Sequence, residues 1–149
     1  NHGMLKGYDT RLLGLNLRLP EINAAIATVQ MKKLPKFLKT REKNAKLLSK
    51  LLSKSNLDLP VERKNENVNW YLYTISTSKR NMLLKKLNAK GIGAASYYPI
   101  PVHKTPFYKS KTKLPVTDWA ASSVLSLPIH PKVTTKNIEF IAKTVSEIL

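Results

Sequence analysis

Apolar positions recur along this chain in two rhythms, and together they divide it into helices, strands and stiff turns. From Pro20 to Leu34, Ile22, Ala25, Ile26 and Val29 return at helical spacing, with small alanines between them. Pro20 and Glu21 suit a first turn, where a missing N–H is harmless and an acidic side chain meets the positive end of the helix dipole. The spacing predicts a tight helix over 20–34 with one face buried. Leu34-Pro35 predicts a break or kink, because the residue before a proline is pushed out of the α region. Helix resumes over 36–54, where Phe37, Leu38, Ala45, Leu48, Leu51 and Leu52 form an apolar stripe that also carries Arg41. Lys36, Lys39, Lys43, Lys46 and Lys50 fall mostly opposite it.

Residues 55–67 are polar and read as a loop, with a short extended piece near Leu57–Val61. Val68 to Ser76 is rich in β-branched and aromatic residues and predicts a strand apolar on both faces, hence central in its sheet. A helix capped by Ser78 follows to about Lys90, with Met82, Leu83 and Leu87 turned inward and Gly91 as its stop. Ile92 to Tyr98 predicts a second strand. A helix over Val116 to Leu125, with Trp119 and Val124 inward, leads to the stiff turn Leu127-Pro128-Ile129-His130-Pro131. The last helix, Thr135 to Leu149, has Thr134 or Thr135 as cap and a seam of Ile138, Ile141, Val145 and Ile148. The mixed order of strands and helices predicts an α/β or α+β unit.

Composition narrows the function classes. The 149 residues favour one domain, and 42% hydrophobic residues allow a sizeable core. No apolar run has the length a bilayer requires, and the start NHGMLKGYDT has no apolar signal core. That start also lacks an initiating Met, as expected for the middle or end of a longer protein. Cysteine is absent, which excludes disulfides and thiolate metal sites. The net charge of +17, from 26 Lys+Arg against 9 Asp+Glu, raises a nucleic-acid role. The lysines are spread through every segment, arginine is scarce and no nucleic-acid motif is present, so a solvated basic surface is the expectation.

Candidate chemistry lies in three places. Asn16 and Arg18 sit in an irregular Gly-punctuated lead just before the first helix, an amide and a guanidinium beside a helix N-terminus. That combination suits an anion, above all a phosphate; the alternative is an ordinary helix start whose Arg18 pairs with a surface carboxylate. Tyr97 to His103, YYPIPVH, is stiffened by two prolines and presents Tyr98 and His103 either to a sugar or partner, or packed down as structure. His2 reads as a loop histidine open to solvent, and His130 as structural. Three dispersed histidines without companions at ligand spacing argue against a metal site, and no nucleophile-elbow motif supports Ser/His/Asp catalysis.

Taken as a set, the stretches resemble a known family. N-H-G at 1–3, G-x-N-x-R at 14–18, P-E-I-N-A-A-I at 20–26, Q-x-x-K-L at 30–34 and Arg41 come first. G-I at 91–92, Y-P-x-P-x-H at 98–103 and L-S-L-P-I-H-P at 125–131 follow. The order and spacing resemble the second half of the DegT/StrS family of pyridoxal-phosphate-dependent sugar aminotransferases. The resemblance implies the small domain of a fold-type I aminotransferase, a short mainly antiparallel sheet flanked by helices. It implies an active-site-type loop over 1–19, the small domain over 20–149, and a cofactor-binding large domain outside this chain. That missing domain would carry the Schiff-base lysine, so no lysine here is expected to be catalytic. The whole protein would transfer an amino group from an amino acid, usually glutamate, to a keto-sugar on a nucleotide, as a cytoplasmic homodimer. Pyridoxal phosphate belongs to that complete protein and is not expected on this chain alone.

By the same resemblance, Asn16 and Arg18 approach the cofactor phosphate of the other subunit. Tyr98 and His103 border the sugar-nucleotide cleft, and His2 lies near the active site. The alternatives are a cofactor-dependent sugar dehydratase of the same family and a non-catalytic binding or dimerisation module.

Overall fold

The computed structural model describes residues 3–149, and the chain divides into two compact units, one ending at Pro35 and one running from Lys36 to Leu149. His2 and Asn1 lie outside the described residues.

The first unit opens with a small hairpin, β1 (Met4–Lys6) against β2 (Asp9–Thr10), antiparallel with Met4 opposite Thr10. The sequence suggests only an irregular lead here, because so short a ladder has no room for an alternation to show. Gly3, at φ +70°, accepts from the N–H groups of Arg11 (3.1 Å) and Leu12 (3.3 Å). A Cβ there would stand 1.6 Å from the Leu12 carbonyl oxygen, so glycine is required by contact as well as by dihedral. Residues 11–20 are exposed and lead into α1 (Glu21–Leu52).

α1 corrects two expectations. It continues as helix through Pro35, so the predicted break does not occur there. An interior proline removes one hydrogen bond and costs ~3 kcal/mol, which good helix formers on both sides and a core-anchored second half offset. The stripe of Ile22, Ile26 and Val29 is not buried, Ile22 being 71% exposed. Helical periodicity states that a face seeks a partner, and within this unit there is none.

In the second unit, Ala45, Leu48 and Leu52 of α1 are buried in one core with Tyr73, Ile75, Leu83, Leu125, Ile138 and Val145, among others. The sheet is β3 (Tyr73–Ser76) paired antiparallel with β4 (Val124–Leu127), Tyr73 opposite Leu127 and Ser76 opposite Val124. Single bridges extend it on both sides, Asp58 to Ser76 and Ala95 to Ser126. β3 is therefore central as expected, but much shorter than Val68–Ser76. Trp70 takes φ +49°, which ends the alternation and places its ring in the core with Tyr73, centroids 6.1 Å apart. The strand expected over 92–98 contributes only its bridge at Ala95.

α2 (Arg80–Ala89) ends at Gly91, φ +76°, as the sequence suggests. It buries Leu83 and Leu87 but leaves Met82 exposed, and Ser78 does not cap it. α3 (Pro115–Ser123) stops before Val124, so the expected helix to Leu125 gives way to β4, and Trp119 is exposed. α4 (Thr135–Ile148) is as expected. Thr134 and Asn137 form a reciprocal capping box, and Ile138, Ile141 and Val145 are buried.

Tyr73 is fully buried and its hydroxyl lies 2.8 Å from that of Ser49. Burial pushes its phenol above the ordinary value of 10.0, and the Ser49 hydrogen bond opposes this in part. A raised phenol stabilises the fold fully below the unfolded pKa, and that stability is lost as pH rises through the folded one. Tyr73→Phe should therefore cost about 1 kcal/mol near neutrality, through the lost hydrogen bond, and flatten the fall in stability above pH 10.0. Denaturant titrations of both proteins across the alkaline range would show it; parallel falls would refute it.

Candidate functional site

The lead into α1 is the first candidate. Asn16 and Arg18 are both exposed in a segment without regular structure, five and three residues ahead of Glu21. Among the described residues Arg18 forms no ion pair. Glu21 occupies the first turn of α1. The positive end of that helix is thus already partly neutralised, and the charge complement for an anion falls on Arg18.

The second candidate is the loop following the Ala95 bridge. Tyr98 has φ +54°, outside the comfortable region for a side chain this large, and its ring is 81% exposed. Such strain is of order 1–3 kcal/mol, and here it serves no burial. It holds a phenol outward. The same loop turns back at Val102–Lys104, a single 3₁₀ turn, and does the opposite with His103, whose side chain is 12% exposed. Its Nε2, buried and without a hydrogen-bond partner among the described residues, lies 3.7 Å from Oδ1 of Asp118 on α3. Lys104 reaches the same oxygen at 2.7 Å. The loop is therefore pinned to α3 through one carboxylate.

Asp118 carries no sequence signal as a partner of His103; its only mark is a place in the first turn after Pro115. Asp118→Ala should leave the core intact and cost ~1 kcal/mol or less, because Lys104 is half-exposed. It should free the loop, visible as faster amide exchange at Ser110, whose N–H donates to the His103 carbonyl at 2.8 Å. Unchanged exchange at Ser110 would remove Asp118 as the pin.

The third candidate is a cleft of about 220 Å³ whose walls include Arg41, Tyr71, Tyr97, Ser126 and His130. Arg41 Nη1 donates to the carbonyls of Trp70 (3.2 Å) and Tyr71 (2.8 Å), and the guanidinium lies 5.6 Å from the Tyr71 ring centroid. On sequence alone Arg41 is one member of an apolar stripe. A charged residue at a core-facing position was the available clue. The far wall is held by Asn44, buried on the same helix, whose amide donates to the carbonyls of Ile129 and Val133. Among the described residues no group of His, Asp and Glu could hold a metal ion. No described helix is long and apolar enough to cross a membrane.

The family model of the DegT/DnrJ/EryC1/StrS aminotransferases matches residues 1–146. The chain is 34% identical, over 88% of its length, to dTDP-3-amino-3,4,6-trideoxy-alpha-D-glucose transaminase of Streptomyces venezuelae, and covers 36% of that protein. It is 33% identical, over 94% of its length, to UDP-2-acetamido-2-deoxy-3-oxo-D-glucuronate aminotransferase of Pseudomonas aeruginosa, and covers 39% of it. The crystal structure of S. venezuelae DesV in complex with a ketimine intermediate superposes with a TM-score of 0.90 at 30% identity. That match takes in 99% of this chain and 41% of DesV. The chain thus spans about two-fifths of the proteins it matches.

Proposed function

Because this chain belongs to the DegT/DnrJ/EryC1/StrS aminotransferase family, we propose that it is the C-terminal domain of a pyridoxal-phosphate-dependent enzyme. That enzyme moves an amino group from an amino acid, glutamate being the expected donor, to a nucleotide-linked keto-sugar. The observation that carries the reading is Arg18, exposed and outside any ion pair of the described residues, in the irregular lead before a 32-residue helix. The donor set there, a guanidinium fork and the Asn16 amide, fits the phosphate of the cofactor. Bound in the complete protein, the cofactor supplies the electron sink and holds the amino group between donor and acceptor.

This chain's part is binding and orientation. Asn16 and Arg18 grip the phosphate presented by the partner subunit of a homodimer, fixing the ring's position without touching the reacting atoms. Tyr98 offers an exposed hydroxyl to the sugar-nucleotide. His103, set by Asp118, forms the wall behind it. His2 completes the active-site edge in the assembled enzyme. The complete enzyme works in the cytoplasm, where nucleotide-linked sugars are made. The even spread of lysines favours this reading over a nucleic-acid one.

The test joins this chain to a family N-terminal domain. The joined protein should transfer the amino group of glutamate to a nucleotide keto-sugar. The chain alone, given pyridoxal phosphate, should show no absorbance of a lysine-bound cofactor. Such absorbance, abolished by replacing one of this chain's own lysines, would overturn the assignment.

A further inference from the structure

Spread evenly along the sequence, the lysines are not spread evenly in space. Lys36, Lys39, Lys43, Lys46 and Lys50 recur on α1 at alternating steps of three and four, and all of them are exposed. At about 100° per residue they fall within an arc of about 80°. The buried Asn44, Ala45, Leu48 and Leu52 occupy the opposite side of the helix. No other residue between 36 and 50 falls in that arc, so the outer face is one uninterrupted line of ammonium groups, about 21 Å long at 1.5 Å per residue. The proposed amino transfer makes no use of it.

Such a line works against the helix. An exposed helix ordinarily sets a carboxylate three or four residues from a lysine, whereas like charges at that spacing weaken it. Here each lysine of the row is followed by the next at that spacing. Glu42, beside the row, pairs with Lys46 at 2.5 Å, and Glu62 adds a weaker attraction to the same ammonium. Lys36, Lys39, Lys43 and Lys50 are in no ion pair among the described residues. The face therefore holds a positive potential that an external array of anions would relieve.

Three features select the array. The charges are all lysines, compact and without the arginine fork, so charge density is matched rather than the shape of one group. No aromatic or apolar side chain stands in the row, which denies it both base stacking and the anchors of a protein interface. The row is also straight. A line along a nucleic-acid duplex meets each backbone strand only once per turn of about 34 Å, whereas a plane of charge meets the whole row together. We propose that this row is an adsorption face for an anionic lipid bilayer, holding the protein at a membrane surface by charge without insertion.

The experiment is co-sedimentation of the full 149-residue chain with vesicles of phosphatidylcholine containing phosphatidylserine. Each lysine near such a surface strengthens adsorption about fivefold, and at about 0.1 M salt charges beyond about 10 Å are screened. Replacing Lys39, Lys43 and Lys50 together by Gln should therefore weaken binding about a hundredfold. The same variant should not unfold earlier in urea, because it removes like-charge pairs. Lys85→Gln, Lys111→Gln and Lys136→Gln together remove equal charge from scattered exposed positions and should cost less than about threefold. Vesicles of phosphatidylcholine alone should retain nothing.

Equal losses in the two variants would make net charge the cause and overturn the adsorption face. So would retention on phosphatidylcholine alone, or a row-dependent affinity for a short DNA duplex exceeding that for the vesicles. The protein joined to a family N-terminal domain should bind the same vesicles; loss of binding on joining would mean that the row is covered, and would overturn it too. If the joined protein binds vesicles and transfers no amino group, the proposed function fails and the membrane face stands. If it transfers and does not bind, the reverse holds.

Discussion

Arg80→Met should lower the stability of the second unit by about 3 kcal/mol or more, the largest effect of any single change considered. Arg80 opens α2 and is only 6% exposed. Among the described residues no carboxylate pairs with it. Its Nε donates to the Ser122 carbonyl at 3.0 Å, Nη2 to the Ala121 carbonyl at 2.9 Å, and Nη1 to the Ser96 hydroxyl. The two carbonyls belong to the last turn of α3, so the guanidinium answers both the orphan acceptors and the negative end of that helix. Methionine can fill the space of the stem. It leaves the acceptors dry and unpaired, at roughly 1–3 kcal/mol each. Replacing a buried charge by an apolar group is neutral only when its partners go too, and backbone carbonyls cannot. Urea unfolding should show a lower midpoint at unchanged slope. Arg80→Lys should recover part of the loss, since one ammonium cannot reach all three acceptors. An unchanged midpoint in Arg80→Met would mean that α3 ends without its help.

Arg18→Ala should weaken retention of pyridoxal phosphate by the joined protein about tenfold to a hundredfold. A charge-assisted hydrogen bond is worth about 1.5–3 kcal/mol, and each 1.4 kcal/mol is a decade in affinity. Asn16→Ala, losing a neutral donor, should cost about tenfold or less. Neither change should move the unfolding midpoint, because both side chains are exposed. That split between affinity and stability separates a ligand contact from a structural one. Cofactor retained equally by Arg18→Ala and wild type after gel filtration would remove Arg18 from the phosphate site.

What the sequence reveals follows the range of the interactions involved. α4 is legible to its cap because Thr134, Asn137 and the seam of Ile138, Ile141 and Val145 are all local. The stop of α2 at Gly91 is legible for the same reason. β4 is hidden, since Val124 and Leu125 also satisfy helical spacing and only pairing with β3 decides between the two. The length of β3 is hidden by Trp70, whose left-handed backbone no propensity announces. Among the candidate groups, Asn16, Arg18, Tyr98 and His103 can be singled out by residue type and setting. Asp118 under His103, and Arg41 facing His130, are relations between distant parts of the chain, visible only once folded. The uncovered stripe of Ile22, Ile26 and Val29 marks the same limit, because periodicity names a face and not what meets it.

That stripe shares the molecule with a net charge of +17. In dilute buffer, mutual repulsion keeps such molecules apart although each carries a sticky ridge. Added electrolyte shortens the reach of that repulsion to about 10 Å at 0.1 M while leaving the attraction between greasy side chains intact. Handling this domain by itself is therefore a question of ionic strength: dispersed when salt is low, clumping as it rises, and cured by whatever native surface covers the ridge.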